Sequence, residues 1–552
     1  MLRTYIQLFF KKTYFVLILI IVIASFLRFY HLGNNPPSLT WDEAAWGYNA
    51  YSLGIDGRDE FGRFLPLNYL ESFGDFKPPV YVYLDVIPVK LFGLNEFSTR
   101  FPSAFFGVLT VLITYFLVKR IFWNSKLKES YALFSALFLA ISPWHIMLSR
   151  AAFEANVATF FLVAGVWLFL AGVQEKKWYI VFSAIFFVIS IYTFNTARVV
   201  APILVLFLGL IFRKKLIENK KQTFVAILMG ILLALPTISF LFSPQAGLRF
   251  KEVNIFSDIN VIKTTNQEIK NDKEVWWSKI LHNRRVAYGL SYVEHYFDNL
   301  NPNFLFIKGD GNPKFSTQNV GELYLWDLPF FAAGAFLLFR KREGKWWIVP
   351  IWLLIGIIPA ATARETPHAL RIETTLPTFQ ILVAYGFSQF LFYIKRYGSF
   401  FKAIIIFVGV LLFTNVFYFF RDYNASYLYE FSGEWQYGYK DSIEYVKSVE
   451  KDFNNIYITS DLGRPYIYYL FYTKTDPRIF RKDNIVRRDN FGFVSVDRFE
   501  KYNFLNGAVK INNGRGIKNL FVKTSNNIPP KANILKRFYL LNGNVALVAY
   551  EI

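Results

Sequence analysis

The 552-residue chain is 54% hydrophobic and 20% aromatic, contains 62 Phe and no Cys, and carries a formal net charge of +21. Soluble proteins of this size are rarely so apolar, and the missing cysteine excludes disulfides, a thiolate nucleophile and cysteine metal sites. Five histidines leave little room for a multi-histidine metal centre. The positive charge is compatible either with a nucleic-acid partner or with a membrane-spanning chain.

Long apolar segments recur along most of the chain and predict a polytopic α-helical membrane protein with about eleven transmembrane helices. The first of them lacks a small-x-small cleavage site and is followed directly by Arg28 and Tyr30, so we expect an uncleaved anchor. The segments lie at about 14–30, 101–118, 131–148, 155–173, 178–194, 199–212, 223–242, 323–339, 346–363, 372–394 and 403–420.

Basic residues lie on alternate connections between these segments. With the N-terminus inside, the inner connections hold 21 Lys and Arg against four Glu, which is +17 of the total +21. Cytoplasmic loops of membrane proteins collect Lys and Arg, so the charge is a topology signal and indicates no nucleic-acid partner. The pattern predicts a bacterial-type cytoplasmic (inner) membrane protein with its N-terminus inside. The inner connections are 1–12, 119–130, 174–177, 213–222, 340–345 and 395–402.

Two long outer segments are predicted, at about 31–100 and 243–322. Within the first, Ala44–Leu53 and Val80–Phe92 are amphipathic or apolar, and we interpret them as interfacial helices. A crossing at 80–94 is the alternative, but it would break the alternation of charge. These segments complete a transmembrane module over residues 1–420.

Residues 421–552 have a different character, because charge rises and long apolar runs stop. Short β-branched and aromatic runs separated by Gly, Asn and Pro turns predict strands, and Trp435–Ser448 resembles a helix. This composition predicts a small α/β domain outside the membrane. The predicted strand runs are Ile456–Thr459, Tyr466–Leu470, Leu520–Lys523 and Val545–Tyr550.

Ionisable side chains gather at the outer ends of the predicted helices. Each is costly near a bilayer, so their common position indicates a site at the outer boundary of water and lipid. A transporter would place such residues near the bilayer midplane, often with inverted repeats. The residues are Asp42, Glu43, Lys77, Arg100, Arg150, Glu154, Arg198, Arg249, Asp310, His368 and Arg371.

Asp42 and Glu43 follow a Pro-Pro turn and have aromatic residues on both sides. Adjacent loop residues point in different directions, so we expect one catalytic carboxylate, acting as a general base, and one structural or ligand-binding carboxylate. An exposed acidic turn is the alternative. Either residue could also hold a divalent ion, but two carboxylates alone make a weak metal site. Lys77, which precedes Pro78-Pro79, suits a phosphate or an interfacial anchor.

The remaining polar residues have two interpretations each. Arg150 and Glu154, four residues apart, are expected to form an ion pair on one helix face, with Arg150 also open to a phosphate or a sugar. Arg100 is expected to be an interfacial anchor. Outer arginines can bind a lipid-linked phosphate bidentately, but any one of them is also suited to anchoring. This group comprises Arg198, Arg249 and Arg371, with His368 in the same short turn as Arg371, while Asp310 lies in a glycine-rich turn.

The order of these motifs resembles glycosyltransferase family 39, the bacterial relatives of the protein O-mannosyltransferases and of the lipid A aminoarabinose transferase, within the GT-C superfamily. The motifs span about 40–440. They are Trp41–Ala44, Lys77–Pro79, Arg100–Ser103, Ser142–His145, Ser149-Arg150 with Glu154, Gly247–Phe250, Gly309–Asn312, Pro367–Arg371 and Trp435–Tyr439. The last run is also similar to the tryptophan-rich motif of oligosaccharyltransferases, but Gln436 stands where that motif has an aspartate, so we set this second relation aside.

The resemblance implies an inverting transferase that uses a polyprenyl-phosphate sugar on the outer face. It implies that Asp42 acts near the acceptor, with Glu43 beside it, and that Lys77 contacts the donor phosphate. No cofactor is required, although a divalent metal is possible because family members differ in this respect. A protein, a lipid or a glycan can each serve as acceptor. Two alternatives remain open, a lipid-linked glycan ligase or polymerase and a flippase.

Overall fold

The computed structural model of the protein describes residues 2–243, 246–247, 254–488, 494–504 and 516–552, so Arg249 lies outside the described residues. The chain forms two compact units, each assembled from discontinuous segments. The first comprises Met1–Arg28, Phe105–Ser149 and Glu154–Phe419, and the second comprises Phe29–Ala104, Arg150–Phe153 and Phe420–Ile552. The predicted outer segment 31–100 therefore shares a unit with the C-terminal region.

Turns and longer connections, such as residues 57–69 and 308–326, join the helices and strands. Helices α1–α11 are Leu2–Phe29, Trp41–Asp56, Val80–Phe92, Glu96–Ile121, Lys128–Ile141, Pro143–Arg150, Glu154–Gln174, Tyr179–Ile191, Ala197–Ile211, Arg213–Glu218 and Lys220–Leu241. Helices α12–α22 are Ile259–Asn271, Trp276–Leu281, Arg284–Asp298, Asp327–Lys341, Ile348–Ile357, Thr378–Ile394, Ser399–Asn424, Ser426–Glu430, Tyr439–Val449, Pro465–Thr473 and Pro477–Asp483. Strands β1–β9 are Leu70–Ser72, Asp75–Lys77, Asn455–Ile458, Asn484–Arg488, Val494–Phe499, Tyr502–Asn503, Asn519–Lys523, Asn533–Tyr539 and Val545–Glu551.

The predicted apolar segments overlap helices of the structure in every case. A helix satisfies its own backbone hydrogen bonds, which is what a lipid environment demands. The segment 223–242 lies on α11, where Phe224 and Ile227 are exposed as expected of side chains facing lipid. Among the described residues, four helices are long and apolar enough to cross a bilayer, namely Glu96–Ile121, Glu154–Gln174, Lys220–Leu241 and Phe400–Glu430. The eleven crossings remain a prediction.

The predicted segment 131–148 is not one straight helix, because the structure divides it into α5 and α6 with a bend of 55° at Ser142, and its status as a single crossing stays a prediction. Pro143 has no N–H to donate to the carbonyl of Leu139, and the N–H of Trp144 donates instead to the carbonyl of Glu322 (3.3 Å). Arg28 replaces both missing donors, through bonds of 3.2 Å to the Leu139 oxygen and 3.0 Å to the Ala140 oxygen. The same buried guanidinium donates to Nδ1 of His145 (2.6 Å). Both backbone carbonyls that the break leaves without a helical donor, those of Leu139 and Ala140, are thus bonded within the first unit.

In the second unit, the helix α2 begins at a capping box. Thr40 Oγ1 accepts from the Glu43 N–H (3.3 Å), and the Glu43 carboxylate accepts from the Thr40 N–H (2.9 Å). This reciprocal pair satisfies two donors that the first helical turn leaves unbonded. The hairpin of β1 and β2 follows and ends at Lys77. Both predicted helical pieces of the first outer segment, Ala44–Leu53 and Val80–Phe92, lie on helices.

The rest of the second unit contains a mixed seven-stranded sheet with the order β4-β5-β6-β3-β7-β9-β8. The strand β3 pairs in parallel with β6 and β7, and the other neighbours are antiparallel. Tyr457, Phe521 and Tyr550 stack across three adjacent strands, with ring centroids 4.9 and 5.3 Å apart. The region therefore contains both helices and a sheet, while the separate α/β domain over residues 421–552 and its position outside the membrane stay predictions.

One predicted strand of this region is wrong. The run Tyr466–Leu470 is helical and belongs to α21, which starts at Pro465 and ends at Lys474 in a left-handed conformation (φ 51°). Proline suits the first turn of a helix because its missing N–H has no partner there. Residues 465–471 are all buried, so packing on every side of the helix outweighs the β-preference of Tyr and Ile.

Candidate active site around Asp42 and Lys77

Asp42 and Lys77 form an ion pair within the second unit. Asp42 is in the first turn of α2, and Lys77 is the last residue of β2. The Lys77 side chain is 9% exposed, whereas the Asp42 side chain is 49% exposed. The Lys77 ammonium also lies 4.9 Å from the Trp46 ring and 5.3 Å from the Phe73 ring, within reach of cation–π attraction. A buried cation thus faces a carboxylate that solvent and solutes can reach.

Glu43 is next to Asp42 in sequence but is completely buried. One carboxylate oxygen accepts from Arg100 Nε (2.9 Å) and from the Ala152 N–H (3.0 Å). The other accepts from the Thr40 N–H (2.9 Å) and from a second Arg100 nitrogen (3.4 Å). Both oxygens are therefore occupied by protein donors, an arrangement suited to positioning. The predicted division between one accessible and one structural carboxylate fits this geometry, and a catalytic role for Glu43 stays a prediction.

Arg100 is buried, not placed at an interface as the sequence led us to expect. Besides Glu43, it donates to the carbonyls of Leu32 (3.2 Å), Pro36 (2.8 Å) and Ser38 (2.6 Å). Five hydrogen bonds from one guanidinium fix the chain that enters α2. A separation of 57 residues between Arg100 and Glu43 has no local signature, so sequence reasoning could not find this pair.

Arg150 and Glu154 do not share a helix face, because α6 ends at Arg150 and α7 starts at Glu154. Arg150 is buried and donates to the carbonyls of Tyr30 (2.7 Å) and Asn35 (2.9 Å). Its guanidinium carbon lies 5.3 Å from the Tyr423 ring. The expected position on one continuous helix is therefore wrong, while an ion pair of the two residues and a role of either in substrate binding stay predictions.

In the first unit, the structure brings Asp310 together with His368. Asp310 is buried, and its oxygens accept from the N–H groups of Asn312 (2.8 Å) and Ala369 (2.6 Å). Nδ1 of His368 lies 3.9 Å from an Asp310 oxygen. Asp310 thus bonds its own turn, as the sequence suggested, and also holds the distant turn at 367–371.

Burial shifts the pKa values of these two groups in opposite directions. It raises the pKa of Asp310 to about 6, against the opposing effect of the two N–H bonds. It lowers the pKa of His368 to about 3, and the charge of Arg371 acts in the same direction. In both cases desolvation favours the neutral form. At neutral pH the imidazole is uncharged, so its contact with Asp310 is not an ion pair.

The remaining predicted phosphate ligands have individual contacts. Arg371 donates to the carbonyl of Glu365 (3.1 Å), and the guanidinium carbon of Arg198 lies 5.4 Å from the Phe240 ring. Their binding roles, like that of Arg249, stay predictions. Sequence reasoning also missed the buried pair Asp59 and Glu60 of the second unit, where desolvation raises the pKa of Glu60 to about 8.

The predicted alternative of a metal at Asp42 and Glu43 fits these contacts poorly. Each carboxylate already faces a cationic side chain, and a divalent ion would have to displace Lys77 or Arg100. Over the ranges that the structure describes, no three side chains of His, Asp or Glu come together as metal ligands.

Comparisons with known proteins agree with the motifs. Residues 76–240 match the family described as dolichyl-phosphate-mannose-protein mannosyltransferase, a range that contains Lys77 and Arg100. A Bacillus subtilis (strain 168) protein named as a candidate mannosyltransferase, YkcB, is 30% identical over 169 residues, which are 29% of this chain and 22% of that protein. The chain spans at most 40% of the length of the curated relatives that it matches.

Solved structures share the fold. ArnT from Cupriavidus metallidurans in the apo state is 12% identical with a TM-score of 0.52, over 97% of both chains, and its complex with undecaprenyl phosphate has a TM-score of 0.51. An acceptor-tethered oligosaccharyltransferase of Archaeoglobus fulgidus is 15% identical, with a TM-score of 0.51 over 83% of this chain and 63% of that one. The predicted resemblance to glycosyltransferase family 39 is thereby confirmed over residues 76–240, and the chain shares its fold with ArnT and with the oligosaccharyltransferase that we set aside at the level of motifs.

Proposed function

We propose that this GT-C protein is a membrane glycosyltransferase that moves a sugar from a polyprenyl-phosphate donor to an acceptor hydroxyl, with inversion at the anomeric carbon. The observation that carries the proposal is the pair of a buried Lys77 and a half-exposed Asp42. A cation aimed at an accessible carboxylate suits a site where a phosphate and a hydroxyl must meet. The match over 76–240 and the ArnT complex with undecaprenyl phosphate support a lipid-linked donor.

In the proposed reaction, the donor phosphate replaces Asp42 as the partner of Lys77. The donor phosphate takes the Lys77 ammonium, and the Asp42 carboxylate becomes available to the acceptor. The acceptor oxygen attacks the anomeric carbon, the bond from that carbon to the phosphate oxygen breaks, and the electron pair leaves with the phosphate. The acceptor proton moves to Asp42 and then to water. Lys77 stabilises the charge that grows on the leaving phosphate, most effectively where water is partly excluded.

Glu43 and Arg100 act as positioning residues in this scheme. Their hydrogen bonds fix the first turn of α2 and the chain before it, so the backbone that carries Asp42 is held in place. A reacting group held in place lowers the cost of reaching the transition state.

We place the site at the outer face of the cytoplasmic membrane. The excess of Lys and Arg on the predicted inner connections supports this orientation. The donor's lipid tail stays in the bilayer with its phosphate at headgroup depth. No nucleotide is required, since the activated bond arrives with the donor. The alternative of a ligase or polymerase differs in using a lipid diphosphate, and a flippase would transfer no sugar.

The test uses the purified full-length chain in liposomes with radiolabelled polyprenyl-phosphate sugars and a crude acceptor extract. Wild type, Asp42→Asn and Lys77→Gln are compared with Asp452→Asn, a control at an exposed carboxylate of the same unit. We expect wild type and the control to release polyprenyl phosphate, Asp42→Asn to lose transfer, and Lys77→Gln to need more donor. Equal activity of Asp42→Asn and wild type would refute the site. Activity with diphosphate donors alone would favour the ligase.

A further inference from the structure

A groove of about 490 Å³ lies on the second unit between the helix α20 (Tyr439–Val449) and the strand β8 (Asn533–Tyr539). The site around Asp42 uses none of its residues. Asp441, Glu444, Tyr445 and Ser448 line one wall and occur at helical positions i, i+3, i+4 and i+7. They therefore form one continuous stripe of the helix.

The half-buried ring of Tyr445 is an aromatic surface of the groove, and the buried Phe538 (3% exposed) supports it from below. The rings of Tyr445 and Phe538 pack at a centroid distance of 5.8 Å, across the junction of helix and strand. The Lys536 ammonium lies 5.0 Å from the Tyr445 ring and 5.5 Å from the Phe538 ring. A ring face is electron-rich and accepts weakly positive C–H groups as well as cations.

The charged groups along the groove balance and are not bonded to one another. Asp441 and Glu444 lie on the helix side, and Lys536 and Arg537 lie on the strand side. Within the described ranges, none of these four side chains forms a hydrogen bond or an ion pair with the protein. Carboxylates accept hydrogen bonds and the basic groups donate them. The groove therefore presents both kinds of partner to a ligand that is itself neutral.

We propose that this groove is a saccharide-binding subsite that holds a glycan of the acceptor, an inference that rests on the proposed glycosyltransferase function. Each sugar hydroxyl is both a donor and an acceptor, so neighbouring hydroxyls can bond to the carboxylates and to the basic groups together. The C–H face of a pyranose ring packs on the accessible part of the Tyr445 ring. A few convergent polar groups above an apolar base are typical of small-ligand sites.

A peptide added as an extra strand is the competing occupant, because β8 is the edge of the sheet. The strand is poorly suited to that role. Its pairing with β9 is interrupted between Ile534 and Lys536 and again between Phe538 and Tyr539. Bulges and exposed basic residues on an edge are features that discourage further strand pairing. The side-chain groove therefore favours a glycan over a peptide strand.

The test measures binding directly and needs no donor. Full-length protein in nanodiscs is titrated with mannotriose and with chitotetraose, and saturation-transfer difference NMR detects the sugar C–H protons. We expect saturation of at least one probe in wild type, at least fivefold weaker binding in Tyr445→Ala, and weaker binding in the double variant Asp441→Asn, Glu444→Gln. The matched control is Tyr429→Ala, at an exposed tyrosine of the same unit that does not line the groove.

Absence of saturation for both sugars, or equal binding by wild type and Tyr445→Ala, overturns the proposal. A pentapeptide that binds while neither sugar does also overturns it, in favour of strand addition. Circular dichroism of each variant separates lost binding from misfolding. Asp42→Asn distinguishes the two proposals, since it should abolish transfer and leave sugar saturation intact. Retained transfer in that variant would instead refute the assignment of the active site.

Discussion

Two ion pairs start from neighbouring residues of α2 and have opposite surroundings. The pair of Asp42 with Lys77 has a half-exposed carboxylate, whereas the pair of Glu43 with Arg100 is buried on both sides and surrounded by additional hydrogen bonds. A buried pair with every oxygen occupied can only hold structure, while a carboxylate open to solvent can exchange partners. At this site the solvent exposure of a carboxylate, more than its residue type, therefore distinguishes a positioning role from the proposed chemical role.

The largest expected effect is on turnover. Asp42→Asn removes the proposed proton acceptor and keeps the shape of the side chain, so we expect sugar transfer to fall by about 10²–10⁴-fold with little change in melting temperature. Single-turnover assays in liposomes and a thermal melt of the same preparation measure both quantities. If Asp42→Asn lowered the melting temperature as well as the activity, Asp42 would have a structural role like that of Glu43.

Glu43→Gln tests the other half of the comparison. Removing one partner of a buried pair leaves an uncompensated guanidinium, and we expect a cost of about 3–5 kcal/mol in the free energy of unfolding. The control is Glu175→Gln, which breaks the more exposed pair with Arg120 and should cost less than about 1 kcal/mol. Denaturation in mild detergent compares the two, and equal costs would contradict the structural role of Glu43.

A smaller effect concerns pH. The pKa of Asp310 in the folded protein, about 6, exceeds its usual value of 3.8, so the folded state binds more protons than the unfolded state between these values. The contribution of Asp310 to the free energy of unfolding therefore decreases as pH rises from about 4 to 6. His368, with its pKa lowered to about 3, acts in the opposite direction over pH 3 to 6.5. Relative to wild type, Asp310→Asn should therefore gain up to about 3 kcal/mol between pH 4 and 6.

Melting curves at pH 4, 5 and 6 measure the slope for wild type, Asp310→Asn and His368→Asn. Between pH 4 and 6, His368→Asn should become less stable relative to wild type, because it lacks the imidazole whose contribution to stability increases as pH rises. Parallel slopes for all three proteins would show that neither group is coupled to folding.

The smallest expected effect is at the helix cap. Thr40→Ala removes the hydroxyl that accepts from the Glu43 N–H, and we expect a loss of about 1 kcal/mol in stability. Thr40→Ser keeps that oxygen and serves as the control. Activity should fall only slightly in both variants, because Arg100 and the Ala152 N–H still hold Glu43. A collapse of activity would mean that the cap alone positions Asp42.

Patterns that depend on local composition could be predicted from the sequence. Apolar runs located the helices of the first unit, and the motifs singled out Asp42 and Lys77, which the fold brings together across 35 residues. Features set by packing could not be predicted. The break at Ser142 depends on donors supplied by Arg28, and the helical state of Tyr466–Leu470 depends on burial from all sides. The Arg100 cluster is built from backbone carbonyls, which carry no residue-specific signal.

The ion pair of Lys77 with Asp42 has a kinetic consequence. While the pair is closed, the Asp42 carboxylate that we propose as the base is bound to Lys77, and an acceptor that arrives first meets no free carboxylate. Only a donor phosphate that takes over the lysine sets the aspartate free. On the proposed mechanism the two substrates must therefore add in a compulsory order, donor before acceptor, and acceptor binding should tighten once the donor is present.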